Sequence, residues 1–230
     1  MPASVIEAHE LFKSFGFNPV LRDVEFNLAP GRAVLIVGQN GAGKSTLIRI
    51  LAGLSRPNAG TVLIFGQDSR RLGPRYRRRI GLLTHQSLLY PNLTARENLE
   101  FFGDLYGLDD SRAAAARWLE RVGLAEVAEE RVRSFSRGME QRLAAARALL
   151  ADPAFLLLDE PYAGLDPQGR EMVATLVRDA VGRGCAVVAA AHAPFVVEDV
   201  DFEVLELARG QLGAPLEESR RGRLRSQLGR

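Results

Sequence analysis

Apolar positions follow two patterns along the chain. Four short runs, Ala33 to Val37, Ile80 to Leu83, Phe155 to Leu158 and Ala186 to Ala190, read as strands buried on both faces. Val173, Leu176, Val177, Ala180 and Val181 recur instead at 3.6-residue spacing and share one face of a helix. Strands alternating with helices predict an α/β fold with a parallel sheet covered on both sides. The first part of the chain differs. Val24 to Leu28 alternates apolar and polar residues, and Thr61 to Phe65 is rich in β-branched residues, so half-exposed antiparallel strands are expected there. From Leu93 to Leu150 no strand pattern appears. That stretch reads as helical, with Ser111 as an N-cap and Gly107 and Gly123 as breaks. The expected organisation is one domain: a core from 1–86 and 151–213, a helical subdomain from about 87–150, and an arginine-rich tail from 214–230.

Composition fits this picture. The 230 residues are 47% hydrophobic and 25% charged, the balance of a chain that buries a sizeable core. The longest apolar stretch, Cys185 to Val197, is interrupted by His192 and Pro194 and falls short of the roughly 20 residues that span a bilayer as a helix. No export signal is visible after Met1, so a soluble, cytoplasmic chain is expected. Cys185, the single cysteine, reads as a small buried hydrophobe. The net charge of +2 does not point to nucleic acid. Its cations are nearly all arginine, with lysine only at positions 13 and 44. That makes Lys44 more informative.

Gly38-Gln39-Asn40-Gly41-Ala42-Gly43-Lys44-Ser45 matches G-x-x-x-x-G-K-[ST], follows an apolar strand and opens a helix through Leu47, Ile48 and Leu51. Such a loop curls so that successive N–H groups face phosphate oxygens, with the helix N-terminus behind them. Lys44 supplies a point charge for the terminal phosphates and Ser45 a hydroxyl for Mg²⁺. A glycine-rich turn without a ligand is the plainer alternative. The run Phe155 to Leu158 leads directly into Asp159-Glu160, at the strand end where ligands sit in such sheets. There Asp159 can hold Mg²⁺ and Glu160 can polarise an attacking water; alone, the pair would read as a helix cap or a surface turn.

Taken together, these motifs resemble the ATP-binding cassette family, the ATPase subunits of ABC transporters, along nearly the whole chain to about Gly213. Gln86 follows a strand where the family has its Q-loop. Phe135-Ser136-Arg137-Gly138-Met139 resembles the signature LSGGQ, Ala163-Gly164-Leu165-Asp166 the D-loop, and His192 the switch histidine. The resemblance implies a P-loop NTPase fold of the ABC type. It also implies ATP and Mg²⁺ as ligands, with Lys44, Gln86, Glu160 and His192 catalytic. Gly38 to Ser45, Thr46 and Asp166 would bind nucleotide, and Ser45, Gln86 and Asp159 the metal. Phe15 would stack on adenine, although Phe17 is an alternative and either aromatic can be core.

The signature departs from the common form at Arg137 and Met139. In the family, Ser136 and Gly138 reach the γ-phosphate held by a second cassette, so a head-to-tail homodimer is implied. Arg137 either adds charge near that phosphate or joins a surface ion pair. The implied partner is a transmembrane permease, with this chain peripheral on the cytoplasmic face of the membrane. Leu88, Leu89, Tyr90 and Leu93 form either its docking surface or subdomain core. His85-Gln86 followed by Leu93 to Leu99 resembles exporter-type cassettes, including the haem-exporter ATPases of cytochrome c maturation.

Two other classes compete. Soluble cassettes that repair DNA carry a long coiled-coil insertion, and those that act on ribosomes carry two cassettes; only about 110 residues separate Ser45 from Asp159 here. A non-catalytic sensor has no need of Glu160 and His192. The run Arg70, Arg71, Arg75, Arg77, Arg78 and Arg79 is expected to be a solvated helix face rather than a nucleic-acid patch, since only Tyr76 is available for stacking. With Arg220, Arg221, Arg223 and Arg225 it could also lie near anionic lipid.

Overall fold

A computed structural model describes residues 4–192 and 195–215. The chain opens with a hairpin of β1 (Ile6–Phe15) and β2 (Asn18–Leu28), then β3 (Ala33–Val37) and α1 (Lys44–Leu51). Next come β4 (Ala59–Ile64), β5 (Gln67–Asp68), α2 (Pro74–Arg77) and β6 (Ile80–Leu83). Three helices follow, α3 (Ala95–Tyr106), α4 (Ser111–Arg121) and α5 (Arg137–Leu149), before the chain returns through β7 (Phe155–Asp159), α6 (Pro167–Gly182), β8 (Ala186–Ala191), β9 (Phe202–Ala208) and β10 (Gln211–Pro215).

Two sheets result. One is antiparallel in the order β2-β1-β4-β5; the other runs β10-β9-β3-β8-β7-β6, parallel except for the β10 edge. All four expected strands lie in the second sheet, as neighbours β3-β8-β7-β6. Side chains alternate across it with the two-residue period of a strand. Val34, Ile36, Phe155, Leu157, Val188 and Ala190 join a core with α1 and the antiparallel sheet. Their neighbours Leu35, Val37, Leu156, Leu158, Val187 and Ala189 join the opposite core, which is continuous with α3 to α6. Double-sided burial explains why these strands read as apolar runs.

Register decides where the chemistry falls. Val37 pairs with Ala191, Asp159 with Ala190, and Leu83 with Leu158, so four parallel strands end at one level. The next residues on each strand are Gly38, His192, Glu160 and Thr84.

Helix ends follow local chemistry. Gly107 closes α3 with φ +69, and Gly123 lies just past α4 with φ +68. Thr94 and Glu97 form a reciprocal capping box at the start of α3. The N-cap of α4 is Asp110, whose carboxylate accepts from the Ala113 N–H; Ser111, expected to cap, is the first helical residue. A carboxylate bonds the free N–H groups and also favours the positive end of the helix dipole, so it displaces the adjacent serine. Cys185 is buried as expected, and burial pushes its thiol up to about 12.

Candidate nucleotide site

The loop between β3 and α1 is shaped by its backbone. A Cβ at Gly38 would lie 2.4 Å from the Leu207 carbonyl oxygen of β9, so only glycine fits against that strand. Lys44 is almost wholly buried, and its Nζ donates to the carbonyls of Gly38 (2.8 Å) and Gln39 (3.1 Å). Two of the three ammonium donors therefore brace the loop, and one is left for a ligand.

Ser45 Oγ donates to Asp159 Oδ1 at 3.0 Å, joining two of the three expected metal ligands across 114 positions of sequence. Asp159 is only 1% exposed. Burial holds its carboxyl above the usual range, against the opposing pull of the Ser45 hydroxyl and of His85, whose Nδ1 is 4.0 Å from Oδ2. A buried carboxylate beside a hydroxyl is an all-oxygen donor set short of positive charge. Both properties suit a hard divalent cation.

One residue on, Glu160 adopts φ +54 and meets His192 through both of its carboxylate oxygens. The His192 backbone N–H donates to Oε1 at 3.1 Å, and ring Nδ1 lies 2.7 Å from Oε2. Adjacent strand ends thus bring Glu160 and His192, two of the four expected catalytic residues, into direct contact. Gln86 is exposed just beyond β6, with its carbonyl accepting from Thr84 Oγ1 at 2.6 Å.

Phe15 and Phe17 sit at the β1–β2 hairpin tip, 58% and 104% exposed, so neither is core. Lys13 Nζ lies 5.2 Å from the Phe15 ring centroid. The same hairpin abuts the phosphate loop: a Cβ at Gly43 would be 3.0 Å from the Val20 carbonyl oxygen.

Ser136 caps α5, its Oγ accepting from the Met139 N–H at 3.2 Å. Asp166 caps α6, accepting from Gly169 at 2.7 Å and from Arg142 Nη2 at 3.3 Å. The apolar cluster after Gln86 divides. Leu88 and Tyr90 are 45% and 48% exposed, whereas Leu89 packs on the core. Leu88 takes φ +55, an uncommon backbone for leucine. Phe101 and Leu105 of α3 extend the exposed apolar surface, and the Tyr90 ring meets Phe101 edge-on at 5.0 Å. Buried Asn98 holds Tyr90 in place by accepting from its N–H at 2.8 Å and donating to its carbonyl at 3.0 Å.

Sequence reasoning gave no role to His85, Ser87, Asn98 or Glu140. Of these, His85 carried a usable signal, being two residues past a buried strand. The arginine run is partly tied up locally: Arg70 pairs with Asp68, Arg77 donates to the Leu72 carbonyl, and Arg79 covers the Phe65 ring at 3.8 Å. Arg220 to Arg225 lie outside the described residues. Among the described residues, no helix is long and apolar enough to cross a membrane.

Comparison with known proteins agrees with this geometry. The family model described as ABC transporter matches residues 21–163, more than half of the chain. The chain is 38% identical over 194 residues to the Nod factor export ATP-binding protein I of Paraburkholderia xenovorans, covering 84% of this chain and 64% of that one. It is 39% identical over 212 residues to the molybdenum import ATP-binding protein ModC of Mycobacterium tuberculosis, covering 83% and 55%. It therefore spans less than two thirds of the length of these relatives. Among solved structures, a dimeric ATP-binding cassette in a post-hydrolysis state bound to ADP and Pi is similar with a TM-score of 0.83 at 28% identity, covering 92% of this chain and 98% of that one. With the motifs, the strand order and the family model in agreement, the chain belongs to the ABC transporter family.

Proposed function

We propose that this chain binds ATP and hydrolyses it as one half of a head-to-tail pair, driving a separate membrane permease in the direction of export. The observation that carries the reading is the Glu160 carboxylate, gripped by His192 on both oxygens one residue beyond the Ser45–Asp159 pair. In this mechanism Glu160 orients a water and takes its proton as the water oxygen bonds to the γ-phosphorus, and the bond to the ADP oxygen breaks. The loop N–H groups from Gly38 to Thr46 and the free Lys44 donor hold the phosphates, and His192 stabilises the charge that develops on the γ-phosphoryl group. Mg²⁺ held by Ser45, Asp159 and Gln86 would neutralise phosphate charge when bound. Phe15, on the hairpin beside the loop, stacks on adenine.

The second copy is supported by Gly138. A Cβ there would meet nothing nearer than 3.9 Å, and its φ is not positive, so the fold of this chain does not require glycine. Glycine in a helix costs about 1 kcal/mol relative to alanine, which makes sense where another body must approach closely. Ser136, Gly138 and Asp166 are assigned to that shared surface. Docking to the permease is assigned to Leu88, Tyr90, Phe101 and Leu105, an exposed apolar patch adjoining Gln86. Export rests on the segment from His85 to Leu99 and on the likeness to the Nod factor exporter; the molybdenum importer is the opposing case.

Glu160→Gln tests the reading. Turnover should fall about 10³-fold with ATP binding kept. The ATP-trapped form should recover a membrane protein on purification. Recovery of DNA or ribosomes instead overturns the transport reading, and undiminished turnover overturns the role of Glu160.

A further inference from the structure

The turn that opens α5 holds two separate segments of the same chain. Toward one side, Arg137 lies along the D-loop: a Cβ at Gly164 would be 2.9 Å from its Nε, 3.0 Å from Cδ and 3.2 Å from Cγ. Gly164 has φ +75, a backbone that disfavours a side chain there, and any Cβ would press on the Arg137 side chain. Arg142, on the next turn, bonds Asp166 of the same loop. Toward the other side, Glu140 accepts a hydrogen bond from Ser87, the residue after Gln86. A single helix start therefore grips the segments that follow β6 and β7.

We propose that Arg137 is a positioning residue whose methylene stem clamps the D-loop against the signature turn of its own chain and so fixes the conformation of the D-loop. This differs from a phosphate contact and from a surface ion pair. A phosphate ligand needs the guanidinium charge. The clamp needs the stem, because Cγ and Cδ are among the atoms lying against Gly164. The kinetic arm of the test rests on the ATPase reading; the exchange arm does not.

The variants Arg137→Ala and Arg137→Met separate these roles, since methionine keeps an unbranched stem of similar reach and removes the charge. Arg137 is exposed, so neither change should threaten folding. In the nucleotide-free protein, hydrogen–deuterium exchange reports on the Ala163 and Leu165 amides, which bond Glu160 and Tyr162 carbonyls within the D-loop turn. Arg137→Ala should speed their exchange about tenfold, and Arg137→Met should leave it within about twofold of the unaltered chain. In steady-state ATP turnover, Arg137→Ala should lower kcat about tenfold with KM little changed, and Arg137→Met should retain most of kcat.

Equal exchange in all three proteins overturns the clamp. So does loss of kcat in the methionine variant matching that in the alanine variant, which would assign the effect to charge. If the unaltered chain hydrolyses no ATP, the ATPase reading fails, and the exchange comparison still decides the clamp. A second check uses Gly164→Ala. It should destabilise the chain less when Arg137 is already alanine, because the collision is then gone and only backbone strain remains. A purely additive pair overturns the contact.

Discussion

The two sides of the candidate nucleotide site are built by different means. On the phosphate-loop side, main chain sets the shape: Gly38 lies against the Leu207 carbonyl, Lys44 is held by two loop carbonyls, and the strand register brings Ser45 to Asp159. On the signature side, long side chains do so: Arg137 over Gly164, Arg142 on Asp166, Glu140 on Ser87. A backbone-built site admits almost no substitution, whereas a site tied by side chains can accept a changed residue that finds new contacts. This accounts for an unaltered phosphate motif beside a signature with arginine in place of glycine.

The largest expected effect comes from placing one methyl group on each side. Gly38→Ala puts a Cβ 2.4 Å from the Leu207 carbonyl of β9 and should lower folding stability by about 3 kcal/mol, read by denaturant unfolding. Gly138→Ala meets nothing nearer than 3.9 Å and should leave stability equal or up to about 1 kcal/mol higher while slowing turnover by the proposed head-to-tail pair. Equal stability losses at both positions would end the distinction between the two sides.

A middling effect is expected at Asp159. Burial raises its carboxyl pKa, so the folded chain holds that proton more tightly than the unfolded chain does. The contribution is fully present below the unfolded pKa and is lost as pH rises through the folded one. Wherever it is ionised, the buried group is therefore a cost to the nucleotide-free fold. Asp159→Asn keeps an acceptor for Ser45 and removes the charge. It should stabilise the nucleotide-free protein by about 1 kcal/mol in thermal unfolding and abolish the further stabilisation given by Mg²⁺ with ATP. A variant less stable without nucleotide would mean that the charge is already compensated within the chain.

The same division decides what the sequence discloses. The loop from Gly38 to Ser45 and the ends of β3, β7 and β8 are legible because each is a local pattern that parallel register turns into neighbours. Less legible were β1, whose alternation is broken by register shifts after Ala8, Leu11 and Lys13, and β9, which follows the acidic stretch Glu198 to Asp201. The contacts of Arg137, Glu140 and Asn98 were not legible at all. They join residues by way of tertiary packing or a returning loop, and no spacing rule encodes where a long side chain will come to rest. The Asp110 and Ser111 exchange is of a third kind, a choice between two adjacent residues that both can cap.

The smallest effect, and the sharpest test of the side-chain tether, is the pH response of Asp166. Its carboxyl is held below the usual range, first by the Gly169 N–H and then by Arg142. A depressed carboxyl stabilises the fold above the unfolded pKa of about 3.9 and loses that contribution as pH falls through the folded value. Asp166→Asn keeps an acceptor for Gly169 and loses the charge facing Arg142. In thermal unfolding the unaltered chain should therefore be slightly more stable than the variant at pH 7, and the gap should close below about pH 4. Because the group is exposed, the gap should also shrink in high salt. A gap that persists unchanged in acid would mean that the hydrogen bond to Gly169 alone sets the D-loop, leaving the Arg142 charge without a part in it.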